Sequence, residues 1–129
     1  MTMKKESKFY ICKHCGNVIT FIKESGAPLS CCGEKMTQIV PNTVDAATEK
    51  HVPVVTIDGD QITVEVGSVE HPMLEEHFIQ WIYLETENGY QMKYLNPGEK
   101  PNAVFLVNGE NAIAAYEYCN LHGLWKKEI

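Results

Sequence analysis

Four of the chain's five cysteines fall within residues 12–32, in the short runs "CKHCG" and "CCG". No other feature constrains the fold as strongly. The stretch from Lys8 to Gln38, "KFYICKHCGNVITFIKESGAPLSCCGEKMTQ", holds only short apolar runs. A piece of that size cannot bury enough surface to hold itself together, so something must staple it. An odd cysteine number argues against a closed disulfide framework and leaves metal ligation or thiol chemistry as the leading reading.

The rest of the composition narrows the class. A length of 129 residues accommodates one core-bearing domain of ordinary size and a small appendage. With 44% hydrophobic and 22% charged residues, the mixture is that of a packed globular protein. No run approaches the ~18 apolar residues of a membrane span. The opening "MTMKKESKFY" carries charge with no apolar stretch behind it, so no membrane association and a cytoplasmic, reducing location are expected. The net charge of −6 repels polyanions and the lysines are scattered, which argues against nucleic acid as a partner.

The polar, proline-bounded stretch "VPNTVDAATEKHVP" reads as a linker. It divides the chain into a four-cysteine domain, residues 1–38, and a larger domain, residues 39–129. The larger part is β-rich. "VPVVTI" and "QITVEV" flank Asp58-Gly59, and "FIQWIYLET" and "YQMKYL" flank Asn88-Gly89, each reading as a hairpin. With "AVFLV" and "AIAAYEYC", six or seven strands recur at the spacing of an antiparallel β-sandwich, a barrel being the alternative. No long amphipathic helix is expected.

Cys12, Cys15, Cys31 and Cys32 can close a tetrahedral thiolate shell. Gly16 and Gly33 follow the two pairs and suit tight knuckles whose backbone takes positive φ while its amides face the sulfurs. Residue chemistry does not separate zinc from iron here. The adjacency of Cys31 and Cys32 is unusual for a zinc ribbon and mildly favours iron. His14, inside the CxxC, reads as a solvated loop residue, since four thiolates already fill the shell.

Cys119 lies far from the other cysteines, in "EYCNLHGLW". The β domain also holds His51, His71, His77 and His122, placed at or near strand ends where loops of a sandwich can converge. Imidazole suits iron, copper, zinc and nickel, and a thiolate among imidazoles biases toward a redox metal. Against this stands the bland reading, with solvated histidines and Cys119 as a small buried hydrophobe. Trp81, Trp125, Tyr83 and Tyr118 read as core or rim aromatics.

"CKHCG", "CCG", "EKHVP", "HPMLEEHFI" and "YCNLHGLWK", in this order, resemble desulfoferrodoxins, the two-iron form of the superoxide reductase family. The likeness runs from Phe9 to Lys126. It implies a distorted rubredoxin-like iron on Cys12, Cys15, Cys31 and Cys32 in a desulforedoxin-type domain. It also implies a second iron in an immunoglobulin-like antiparallel β-sandwich, with His51, His71, His77 and His122 equatorial and Cys119 axial. The implied activity is one-electron reduction of superoxide to hydrogen peroxide, with a rubredoxin-like electron donor and a homodimeric assembly. Lys50 would steer superoxide and organise water for proton delivery, and Glu49 would cap the resting ferric iron. Without the resemblance, Glu49 and Lys50 read as a solvated charge pair. The rival readings are a zinc-stabilised binding module without redox chemistry, a superoxide dismutase, and an iron-based redox sensor.

Overall fold

In the computed structural model, residues 6–129 are described. The first five residues, which belong to the charged opening and to the expected four-cysteine domain, lie outside the described residues. The chain divides into two compact units, one ending at Val40 and the other running from Pro41 to Ile129.

The smaller unit is built of five short strands. β1 (Phe9–Ile11) is the centre of a three-stranded antiparallel sheet, between β2 (Val18–Thr20) and β5 (Thr37–Ile39). β3 (Ser30–Cys31) and β4 (Glu34–Lys35) form a separate hairpin. Among apolar residues here, Phe9, Cys12 and Met36 are buried, a small core that matches the segment's composition.

The larger unit opens with a single helical turn, α1 (Thr48–His51), which the sequence reading did not foresee. The strands follow: β6 (Pro53–Asp58), β7 (Gln61–Val66), β8 (Ile79–Thr86), β9 (Gly89–Tyr94), β10 (Asn102–Leu106), β11 (Ala112–Cys119) and β12 (Gly123–Glu128). They form two open antiparallel sheets, β10-β7-β6 and β12-β11-β8-β9, so the expected sandwich is present and the barrel is not. Alternation on β7 and β10 drives the packing. Ile62, Val64 and Val66, with Ala103 and Phe105, turn inward against Ile82, Leu84 and Ala115 of the facing sheet. β8 is buried on both faces, because Trp81 stacks on Tyr118 at 5.6 Å and Tyr83 on Tyr90 at 4.7 Å on the other side.

Both expected hairpins form, each with its turn displaced by one residue from the quoted dipeptide. Asp58 pairs with Gln61, so the first turn is Gly59-Asp60, with Gly59 at φ 59°. Thr86 pairs with Gly89, so the second is Glu87-Asn88, and neither residue takes positive φ. The carboxylate of Glu110 supports that turn instead, accepting from the Asn88 amide at 3.1 Å. The linker is less free than its composition suggests. The Asn42 side chain accepts from the Lys126 amide at 2.8 Å and donates to its carbonyl at 3.0 Å, extending the β12 edge.

Candidate metal centres

The first centre forms in two turns of the smaller unit. Cys12 follows β1, and the loop closes through Gly16 N–H to the Cys12 carbonyl at 2.8 Å, with Gly16 at φ 82°. Cys31 ends β3 and pairs with Glu34, leaving Cys32 and Gly33 as a two-residue turn with φ 53° and 77°. Positive φ at both central residues is the mark of a type I′ turn, which is how adjacent cysteines turn their thiols to one side. All four sulfurs lie within 4.8 Å of one another. Cys15 Sγ is 3.6 Å from Cys31 Sγ, which is 3.9 Å from Cys32 Sγ. Four sulfurs about 2.3 Å from a tetrahedral metal stand about 3.8 Å apart, so the set fits such an ion. Amides of Cys15 and His14 donate to Cys12 and bring its thiol down to about 6, while thiol neighbours, Cys15 foremost, push Cys32 up to about 12. One thiolate, that of Cys12, is thus favoured before metal arrives, while the raised Cys31 and Cys32 thiols need the ion's charge. His14 lies outside the cluster, in an exposed pair with Glu34 at 3.0 Å.

The second centre gathers at one end of the sandwich. His51 ends α1 just before β6, and His71 follows β7 with its amide bonded to the Val66 carbonyl at 3.0 Å. His77 sits in a bridge with Leu74 ahead of β8. Cys119 ends β11, and His122 lies in the turn into β12. The registers Pro53↔Val66, Cys119↔Ile79 and Cys119↔Gly123 set these ends side by side. One donor atom from each of the five residues lies within a 4.8 Å cluster.

Hydrogen bonding fixes which ring nitrogens face inward. His51 Nδ1 donates to the Ala47 carbonyl and His71 Nδ1 to the Pro72 carbonyl, each at 2.7 Å. A carbonyl only accepts, so both protons sit on Nδ1 and both Nε2 atoms present lone pairs. These lone-pair nitrogens are nevertheless 3.1 Å apart, and His122 Nδ1 is 3.2 Å from His51 Nε2. His77 Nε2 is buried without a hydrogen-bond partner. Four nitrogens about 2.1 Å from a metal in one plane would have neighbours about 3.0 Å apart. The rings close a square in the order 51, 71, 77, 122, with centroids 4.7, 4.7, 5.1 and 4.9 Å apart and planes 74° to 88° to one another. Cys119 Sγ lies 3.9 Å from His122 Nδ1.

A shared proton is the other way to bring two such nitrogens together, but burial opposes a charged imidazole here. His51 and His71 are each only 2% exposed. Desolvation pushes His71 down to about 4 and lowers His51 and His77, with the Lys50 charge adding to the effect on the last two. Burial raises the Cys119 thiol, opposed by the amides of Leu121 and His122, which donate to its sulfur. The neutral imidazoles are ready for a cation, and the cation would favour the thiolate.

Three positioning features carry no metal-ligand signature in the sequence. Trp125 stacks on His51 at 4.9 Å and 26°, and its indole N–H donates to the His122 carbonyl at 3.0 Å. Gly67 lies under α1, where a Cβ would come within 2.7 Å of the Glu49 carbonyl and 3.0 Å of that of Val52. Asn120 bonds to the loop that carries His77. Glu49 and Lys50 sit exposed on α1 beside His51, and Glu49 is outside the five-atom cluster.

A family model described as desulfoferrodoxin matches residues 43–128, and one described as desulfoferrodoxin, N-terminal domain, matches residues 4–39. A desulfoferrodoxin of Syntrophotalea carbinolica is 47% identical over 98% of this chain and 99% of its own. The superoxide reductase of Treponema pallidum superposes over 96% of this chain and 100% of its own, with a TM-score of 0.80 and 37% identity. A one-iron superoxide reductase of Giardia intestinalis covers 63% of this chain and 97% of its own, with a TM-score of 0.55 and 32% identity. With both segments matched and near-complete coverage of a close relative, the chain belongs to the desulfoferrodoxin family.

Proposed function

We propose that the chain is a superoxide reductase, carrying iron in both centres and reducing superoxide to hydrogen peroxide at the five-ligand one. The observation that carries this reading is the approach of two buried lone-pair nitrogens to 3.1 Å beside a cysteine sulfur, which asks for a thiophilic, redox-capable cation. Bound iron supplies the single electron and a Lewis-acidic point of attachment for a small anion.

The chain's own groups do the rest. Ala47 and Pro72 carbonyls hold the His51 and His71 rings so that Nε2 faces the ion, and Trp125 braces His51 from the side. Cys119, as the thiolate that a bound cation would favour, would lend that cation electron density, tempered by the two amides at its sulfur. Conversion of superoxide to hydrogen peroxide takes one electron and two protons. We assign Lys50 to steering the anion against the overall charge of −6 and to organising the water that delivers those protons. Glu49, on the same helical turn, is assigned to covering the oxidised resting centre. Support for both roles is their place beside His51 and the family likeness.

The four-thiolate centre either relays electrons or staples its unit. Residues 1–38 and 39–129 are proposed as the two metal-binding domains. A rubredoxin-like donor, a homodimer and a cytoplasmic setting complete the reading; the family likeness supports the first two, and five unbridged cysteines suit a reducing compartment.

The test is metal content and product stoichiometry. About two irons per chain, with hydrogen peroxide formed and no dioxygen evolved, is the expected outcome. Dioxygen release would make the chain a dismutase. Zinc alone, with the histidines empty, would reduce it to a metal-stapled binding module.

A further inference from the structure

The four ring histidines are not held alike. His51 and His71 are pinned through Nδ1 to carbonyls, and His122 is tied by Trp125 at its own carbonyl. Among the described residues His77 has no hydrogen-bonded anchor on its ring, its buried Nε2 lacks a hydrogen-bond partner, and its backbone is bonded only within its own loop, to Leu74 at 3.1 and 2.9 Å. Its loop contains Leu74, Glu75 and Glu76, all exposed. A ligand on such a segment would wander unless its backbone were held on both sides.

Asn120 does this holding. Its Oδ1 accepts from the Phe78 amide at 2.9 Å and its Nδ2 donates to the Glu76 carbonyl at 3.0 Å, so one side chain grips the residues before and after His77. The Asn120 amide donates to the Phe78 carbonyl at 3.3 Å, closing a third bond. Asn120 itself lies between Cys119 and His122. The side chain thus joins the segment bearing the sulfur to the segment bearing His77.

We propose that Asn120 is the positioning residue for His77, setting the metal affinity of the five-ligand centre by fixing where that imidazole stands relative to Cys119. The inference rests on those five residues forming a metal centre. Side chains that orient ligands through a second set of hydrogen bonds are typically worth 10- to 100-fold in metal affinity. Both polar ends of the amide are used, so no other residue of similar size replaces them.

The test uses full-length iron-loaded protein equilibrated against a graded ferrous chelator. Iron retained per chain is read with the four-thiolate centre's visible absorption as internal standard. Asn120→Ala is expected to weaken iron retention at the five-ligand centre about 10- to 100-fold and to leave the other centre unchanged. In a His77→Ala background the same substitution should add less than about twofold, because its effect runs through that imidazole. Unchanged retention in Asn120→Ala, or an equal loss with and without His77, would overturn the proposal. Should Asn120→Ala not fold, Asn120→Asp keeps the acceptor for the Phe78 amide; it should show a smaller loss with the same dependence on His77. Equal iron retention by the unsubstituted chain and His77→Ala would overturn the five-ligand centre itself, an outcome separate from any result at Asn120.

Discussion

Individual side chains at the histidine ring act through charge and desolvation, and two predictions follow at that scale. Lys50 is exposed on α1 beside His51 in a chain of net charge −6. Lys50→Ala is expected to slow the bimolecular reaction with superoxide about tenfold and to flatten its ionic-strength dependence, measured by pulse radiolysis or stopped flow. An unchanged salt slope would remove Lys50 from steering. His71, pushed down to about 4 by burial in the absence of metal, binds fewer protons folded than unfolded below its ordinary 6.5. Its contribution to the stability of metal-free protein is therefore complete above about pH 6.5 and lost as the pH falls toward 4. Denaturant titrations from pH 7 to 4 should show a shallower decline in metal-free His71→Gln than in the parent chain. All nine proposed ligands were legible as residues, because cysteine and histidine are the types a soft or borderline metal selects. What spacing did not supply was their meeting point, and only the family motifs suggested it. Trp125 and Asn120 act through backbone carbonyls and amides, contacts that leave no mark on residue type.

Short elements carry the precision of the site. α1 is one helical turn without a side-chain cap at Ala47, which explains why propensity did not announce it. It is held from outside: the Val69 amide donates to the Glu49 carbonyl at 2.9 Å, and Gly67 leaves room for the turn to settle. Gly67→Ala is expected to push α1 away and to destabilise the larger unit by about 1–3 kcal/mol, measured by denaturant unfolding, while lowering iron retention through His51. Normal stability and full iron would show that the turn can shift without cost. The two hairpins were legible from alternation and from the Asp-Gly and Asn-Gly dipeptides between their strands. Their turns slipped by one residue because Gly59 and the Glu110 carboxylate, not the dipeptides as such, decide where the chain reverses.

At the scale of the whole molecule, the two units are expected to depend on metal differently. The sandwich has its own apolar core, while the smaller unit buries few apolar side chains around its thiolates. Chelation of both metals is expected to unfold residues 6–40 and leave the strands from β6 to β12 protected, as read by hydrogen exchange. Lasting protection in the smaller unit after complete metal removal would contradict the staple. The two centres also differ in how much chain must exist before they can close. The thiolate set is complete by Cys32, whereas His51 and His122 are 71 positions apart. During synthesis the first centre can capture its ion while most of the sandwich is still unmade. The second stays open until β11 is paired and the turn after it has emerged. The two centres can therefore close in two separate acts, and the later one requires the chain through His122.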